Sequence, residues 1–140
     1  MKHEPSPHAF SIPVRVYYED TDAGGIVYYA NYLKFFERCR TEWMRAIGHD
    51  QRVLGELHDI AFVVRSVSVD YLRPARLDDQ LTVSVELATL GRAKLSLRQH
   101  VRRGDEELVT GLVDIVCVNL SAMKANPIPS FLREQLEKLV

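Results

Sequence analysis

The chain has 140 residues, enough for one compact domain that buries its own core without disulfides or a structural metal. A hydrophobic fraction of 46% and a charged fraction of 26% are those of an ordinary globular protein. A net charge of -1 gives no global drive toward nucleic acid, and no apolar run approaches the roughly 20 residues that span a bilayer.

The N-terminal stretch from Met1 to Phe10 is polar, carries Pro5 and Pro7, and lacks the apolar core of a signal peptide. The expectation is a flexible tail over residues 1–9, a single domain over residues 10–140, and a cytoplasmic location. A first strand is predicted from Phe10 to Tyr18, followed by a Gly-containing loop from Asp20 to Gly25. A long helix is predicted from about Tyr29 to Ile47, with Gly48 as its C′ residue. At 100° per residue, Tyr32, Leu33, Phe35, Phe36, Cys39, Trp43, Met44, Ala46 and Ile47 fall on one broad arc. That arc is wider than the stripe of a surface helix and implies a sheet wrapped around it. Arg40 lies inside the arc and Glu37 at its edge, an i,i+3 pair able to neutralise each other.

Period-two alternation follows. Val63, Val67, Val69 and Tyr71 alternate with Ser66, Ser68 and Asp70. Leu81, Val83, Val85 and Leu87 alternate with Thr82, Ser84 and Glu86. Leu95, Leu97 and Val101 alternate with Ser96, Arg98, His100 and Arg102. Arg103-Gly104-Asp105-Glu106 reads as a hairpin turn into an almost wholly apolar strand, Leu108–Val118. A short helix is expected at the C-terminus. With one long helix among several strands, the sheet must be mainly antiparallel, and the class is α+β. Cys39 and Cys117 each sit in an apolar segment and read as reduced core residues. The five histidines are scattered, and no Cys/His spacing suggests a metal site.

The densest chemistry lies in Tyr17-Tyr18-Glu19-Asp20-Thr21-Asp22-Ala23-Gly24-Gly25-Ile26-Val27-Tyr28-Tyr29-Ala30-Asn31-Tyr32. Three acids stand just before a glycine pair and a helix start. A helix N-terminus offers unpaired N–H groups and partial positive charge, which can stabilise the oxyanion of acyl transfer. A carboxylate beside it can act as general base or nucleophile. Spacing alone also allows these acids to be caps and turn formers, and that reading stays open at this point.

This stretch resembles the signature of the 4-hydroxybenzoyl-CoA thioesterase family, and especially its Tol-Pal-associated acyl-CoA thioesterase branch. Ala61-Phe62-Val63-Val64-Arg65 and Pro74-Ala75-Arg76-Leu77-Asp78-Asp79 are similar to the same branch. The resemblance implies a hotdog fold, a five-stranded antiparallel sheet around one central helix, and hydrolysis of acyl-CoA to a carboxylic acid and free CoA. It implies Asp22 as the catalytic carboxylate and the backbone N–H of Tyr29 as oxyanion donor. Branch members commonly carry His where this chain has Tyr29, which leaves a backbone role intact. Gly25, Val27, Tyr28 and Tyr32, from the same stretch, are the candidate substrate contacts. Arg92, Lys94 and Lys124 match the region that holds the CoA phosphates. No cofactor or metal is implied, CoA being part of the substrate. A homodimer or homotetramer with its site at the interface is implied, with the Phe62–Tyr71 edge in need of a partner. An acyl carrier protein is a candidate further partner. Glu37 is the alternative acid, and a non-catalytic acyl-binding or scaffold role in the envelope system or in phospholipid synthesis is the alternative function.

Overall fold

The computed structural model describes residues 8–140, so most of the expected tail lies outside the described residues. In chain order the elements are β1 (Phe10–Arg15), α1 (Asn31–Ala46), α2 (Gln51–His58), β2 (Ile60–Tyr71), β3 (Gln80–Leu90), β4 (Lys94–Arg103), β5 (Glu106–Asn119), β6 (Lys124–Ala125) and α3 (Ser130–Glu137). Five long strands form an antiparallel sheet in the order β1-β3-β4-β5-β2, and the two-residue β6 pairs with the end of β5. The α+β class and the sheet packed on one long helix agree with the sequence.

The broad apolar arc of α1 is what the sheet covers. Tyr32, Phe35, Phe36, Cys39, Trp43 and Met44 are all buried, and Leu33 and Ala46 at the arc's edges are exposed. Phe36 lies directly on β5: a Cβ placed on Gly111 would meet its ring at 2.6 Å, so only glycine permits this approach. α1 ends where expected. Gly48, at φ 96°, donates from its N–H to Arg45 O at 2.9 Å, and His49 N–H donates to Met44 O at 2.8 Å. This double bond pattern is a Schellman cap.

Three boundaries differ from expectation. β1 stops at Arg15 because Val16 exchanges backbone hydrogen bonds with Asp78 and Asp79 instead of with β3. Tyr18–Asp20 then form a short 3-10 turn. α1 starts at Asn31 rather than Tyr29, because Asn31 N–H closes a turn on Tyr28 O at 2.8 Å. The helix α2 was not anticipated. The Asp50 side chain caps it by accepting the Arg52 N–H at 2.8 Å, and it buries only Leu54.

Two topological facts position the site. β2 is an edge strand, with Val63, Val64, Val67 and Tyr71 all at least 40% exposed. Its partner β3 in sequence lies at the other side of the sheet, so the connection, residues 72–79, must cross the sheet's end. That crossing runs beside the start of α1.

Candidate active site

The Asp22 loop is closed locally. Asp22 N–H donates to Ile26 O at 2.9 Å, and Gly25 N–H donates to Asp22 O at 3.0 Å, with Gly25 at φ 77° where glycine is favoured. A bridge between Thr21 and Val27 joins the loop's two arms. The Asp22 carboxylate accepts the Gly24 N–H on Oδ1 at 2.8 Å. Its Oδ2 has no assigned donor among the described residues, and the residue is exposed. One oxygen is therefore held by the loop and the other is left without a protein donor, among the described residues, on an exposed residue.

Asp20 is built differently. Its Oδ2 accepts the Tyr17 N–H at 2.8 Å and its Oδ1 accepts Asn31 Nδ2 at 2.9 Å. Its carbonyl also accepts the Tyr28 N–H at 3.0 Å. Asp20 is thus a strut between the loop and the first residue of α1. Asp20 closes the capping box of the Tyr18–Asp20 turn, and the Asp22 bond to the Gly24 N–H is also a turn-forming contact, so the cap-and-turn reading applies to both acids.

Tyr29 occupies the second position of the Tyr28–Asn31 turn, where the N–H points away from the closing bond; no acceptor for it is assigned among the described residues. The N–H is free to donate to a ligand. The Tyr29 ring is 62% exposed and stacks near Tyr28 at 4.7 Å and edge-on to Tyr71 at 6.2 Å. Hydrogen bonding to Tyr29 raises the Tyr28 phenol, and burial raises the Tyr71 phenol, above their ordinary values. Both stay protonated at neutral pH.

The other candidate contacts divide by burial. Tyr28 is half exposed, whereas Val27 and Tyr32 are buried at 4% and 3% exposure. The Tyr32 hydroxyl accepts the Ala75 N–H at 3.0 Å. Burial raises its phenol too.

The crossing segment backs this whole loop. Ala75 O accepts the Val27 N–H at 2.9 Å, Gly25 O accepts the Leu77 N–H at 3.2 Å, and Ile26 bridges to Arg76. The Pro74–Asp79 motif is the template on which the Asp22 loop lies. Sequence reasoning used this motif only as a mark of resemblance, and it placed Tyr71 in a strand and Arg103 in a hairpin turn without assigning them or Asp79 to the site. The acidic pair Asp78-Asp79, with Asp78 at φ 69°, is the turn signal that could have drawn attention there.

Glu37 stands apart, on the exposed side of α1. With Arg40, Trp43, Met44 and Phe62 it lines a cavity of about 170 Å³. Arg40 donates from Nη1 to the buried Gln99 Oε1 at 2.9 Å, and burial lowers its basicity while the nearby Glu37 charge opposes this. The expected neutralisation is therefore shared with a neutral amide.

Arg92, Lys94 and Lys124 gather at one end of the sheet, since Lys94 pairs with Val116 and Lys124 with Asn119 on β5. Lys94 Nζ lies 3.3 Å from Asp114. The Asp22 loop is at the other end: Tyr71, which touches Tyr29, pairs with Val109. At about 3.3 Å per residue, seven to ten residues of β5 put roughly 23–33 Å between the two groups within one chain.

Comparison with known proteins identifies the family and agrees with the fold. Residues 24–110 match the family model described as the thioesterase superfamily. The acyl-CoA thioesterase YbgC of Haemophilus influenzae is 45% identical over 87% of this chain and 90% of its own. The acyl-CoA thioester hydrolase YbgC of Escherichia coli O6:H1 is 43% identical over 86% of this chain and 90% of its own. Among solved structures, one from Bartonella henselae named "Probable Thioesterase" superposes with a TM-score of 0.83 at 35% identity, over 86% of this chain and 99% of that one.

Proposed function

This chain belongs to the thioesterase superfamily of hotdog folds, and from that membership we propose that it hydrolyses acyl-CoA with Asp22 as the reacting carboxylate. The observation that carries the assignment is the contrast between two acids in one loop. Asp20 has both oxygens committed, while Asp22 has one oxygen held and one without a protein donor among the described residues.

In the proposed reaction the thioester carbonyl oxygen accepts the Tyr29 N–H. Asp22 Oδ2 takes a proton from water as the water oxygen bonds to the carbonyl carbon. The tetrahedral oxyanion is held by the Tyr29 N–H, which gains strength as charge develops. Collapse breaks the C–S bond, and the proton on Asp22 passes to the departing thiolate. The alternative route has Oδ2 attack the carbon first and expel the CoA thiolate as the C–S bond breaks, giving an anhydride that water then opens to the two carboxylic acids. A single turnover in ¹⁸O-water in which label enters Asp22 would establish the anhydride route with water opening it at the aspartyl carbon, since the general-base route places label only in the product acid.

We further propose that the working unit is a two-fold dimer through the β2 edge, or a tetramer made of two such dimers. Unpaired edge strands with exposed apolar side chains call for a partner. Antiparallel β2–β2 pairing exchanges the strand ends. The Asp22 loop of one copy then meets the Arg92, Lys94 and Lys124 end of the other, so basic groups reach the CoA phosphates as charge partners. In such a dimer the cavity of about 170 Å³ lined by Arg40, Trp43, Phe62 and Val64, which opens on the β2 edge, would be available to an acyl moiety.

Acyl-CoAs of graded chain length, assayed by release of free thiol, test the reading. Turnover with at least one member is expected, and the absence of turnover across the series would refute hydrolysis.

A further inference from the structure

The Asp22 loop is closed by its own hydrogen bonds and is also laid on residues 74–77, and those residues are themselves pinned from one side. Arg103, at the end of β4, donates from Nη1 to Asp79 Oδ2 at 2.6 Å and to Pro74 O at 3.4 Å. The same Asp79 oxygen accepts the Arg76 N–H at 2.8 Å. Arg103 therefore grips both ends of the Pro74–Asp79 segment. Its other face is fixed by Glu106, which accepts from Arg103 Nε at 3.1 Å and Nη2 at 2.6 Å. Glu106 also accepts from Arg73 at 3.0 Å. The planar guanidinium supplies donors in several fixed directions, which a lysine ammonium on a flexible stem cannot reproduce together.

From this pin a continuous set of contacts runs to the reacting group. Arg103 meets Asp79, and Asp79 holds the Arg76 N–H. Arg76 bridges Ile26, and Ile26 O accepts the Asp22 N–H at 2.9 Å. A parallel branch runs from Pro74 through Ala75 to Val27, on the other arm of the loop.

We propose that Arg103 is a positioning residue for catalysis: with Asp79 it locks the 74–77 template and so fixes the direction of the Asp22 carboxylate, without touching substrate. The inference rests on the catalytic assignment of Asp22. The physical ground is that misplacing a reacting group by about 1 Å costs as much as 10²-fold in rate. Binding of CoA, which depends on other groups, is left alone.

The test compares wild type, Arg103→Leu and Arg103→Lys by hydrogen exchange and by steady-state kinetics. In Arg103→Leu the amides of Asp22, Gly25 and Val27 should exchange at least ~10-fold faster, while central amides of β4 and β5 keep their protection. In the same variant kcat should fall by about 10–100-fold with KM within about twofold of wild type. Arg103→Lys, which keeps the charge and loses the fork, should recover part of both. Unchanged loop exchange in Arg103→Leu would overturn the proposal, as would a loosened loop with full kcat. A loss of protection spread over the whole sheet would also overturn it, because it would mark a general stability role. The exchange readout needs no substrate. If wild type hydrolysed no acyl-CoA, the catalytic reading would fall while the exchange data still judged the lock.

Discussion

Replacing Tyr32 by Phe separates two roles that one hydroxyl could have. The ring is 3% exposed and packs on Phe35 and Tyr71 at 6.0 and 5.7 Å, so the substitution keeps the packing and deletes one oxygen. That oxygen accepts the N–H of Ala75, itself fully buried. A buried donor left without its acceptor costs about 1–3 kcal/mol. With about 2.1 cal/mol/K of unfolding entropy per residue, 140 residues give about 0.29 kcal/mol/K. The expected fall in Tm is therefore about 3–10 °C, measured by calorimetry at one fixed protein concentration. Because Ala75 also holds Val27, kcat should fall several-fold with KM little changed. An unchanged Tm together with a raised KM would refute this reasoning and return Tyr32 to the substrate.

Two further outcomes follow from the same geometry. Val64→Glu places a charge on the exposed β2 edge; light scattering should then report the 16.0 kDa protomer in place of a multiple of it, with activity lost, and an active variant of unchanged mass would exclude that edge as the interface. Hydrogen bonds from the Ser96 and Ser66 hydroxyls and from Lys94 hold Asp114 below the usual carboxylate range despite some burial. Stability from this group is present above its unfolded pKa of about 3.9 and is lost as pH falls through the lower folded value. Urea midpoints should decline below about pH 4, and Asp114→Asn should soften that decline; an identical profile in the variant would remove Asp114 from the account.

Much of the architecture could be read from the chain because local and global signals coincide. The arc of α1, its Gly48 cap and the turn at Gly104 each depend on residues close in sequence. α2 escaped notice because eight residues with an interior Gly55 and one buried side chain, Leu54, carry little periodicity. Its Asp50 cap was the available signal. The alternation along β2 was legible, but α1 leaves this edge uncovered, so the pattern points to a surface that one chain does not bury. In the site, Asp22 emerged from a resemblance, and the distinction from Asp20 did not. It depends on where Tyr17, Asn31 and Gly24 put their donors, which composition and spacing do not encode. The Arg103–Asp79 lock joins residues 24 positions apart and was invisible for the same reason.

The central claim is that the open oxygen of Asp22 does the chemistry. Asn preserves the shape and can keep the bond from the Gly24 N–H through its amide oxygen, but it cannot accept a proton from water or attack a thioester. Asp20→Asn is an unsuitable control, because both Asp20 oxygens are engaged. Glu19, exposed in the adjoining Tyr18–Asp20 turn, changes the charge equally without disturbing a strut. The decisive measurement is therefore acyl-CoA turnover in Asp22→Asn beside Glu19→Gln. The account predicts a fall in kcat of about 10²–10⁴-fold in the first, with the fold intact, and near wild-type turnover in the second. Full activity in Asp22→Asn, or equal losses in both variants, would contradict it.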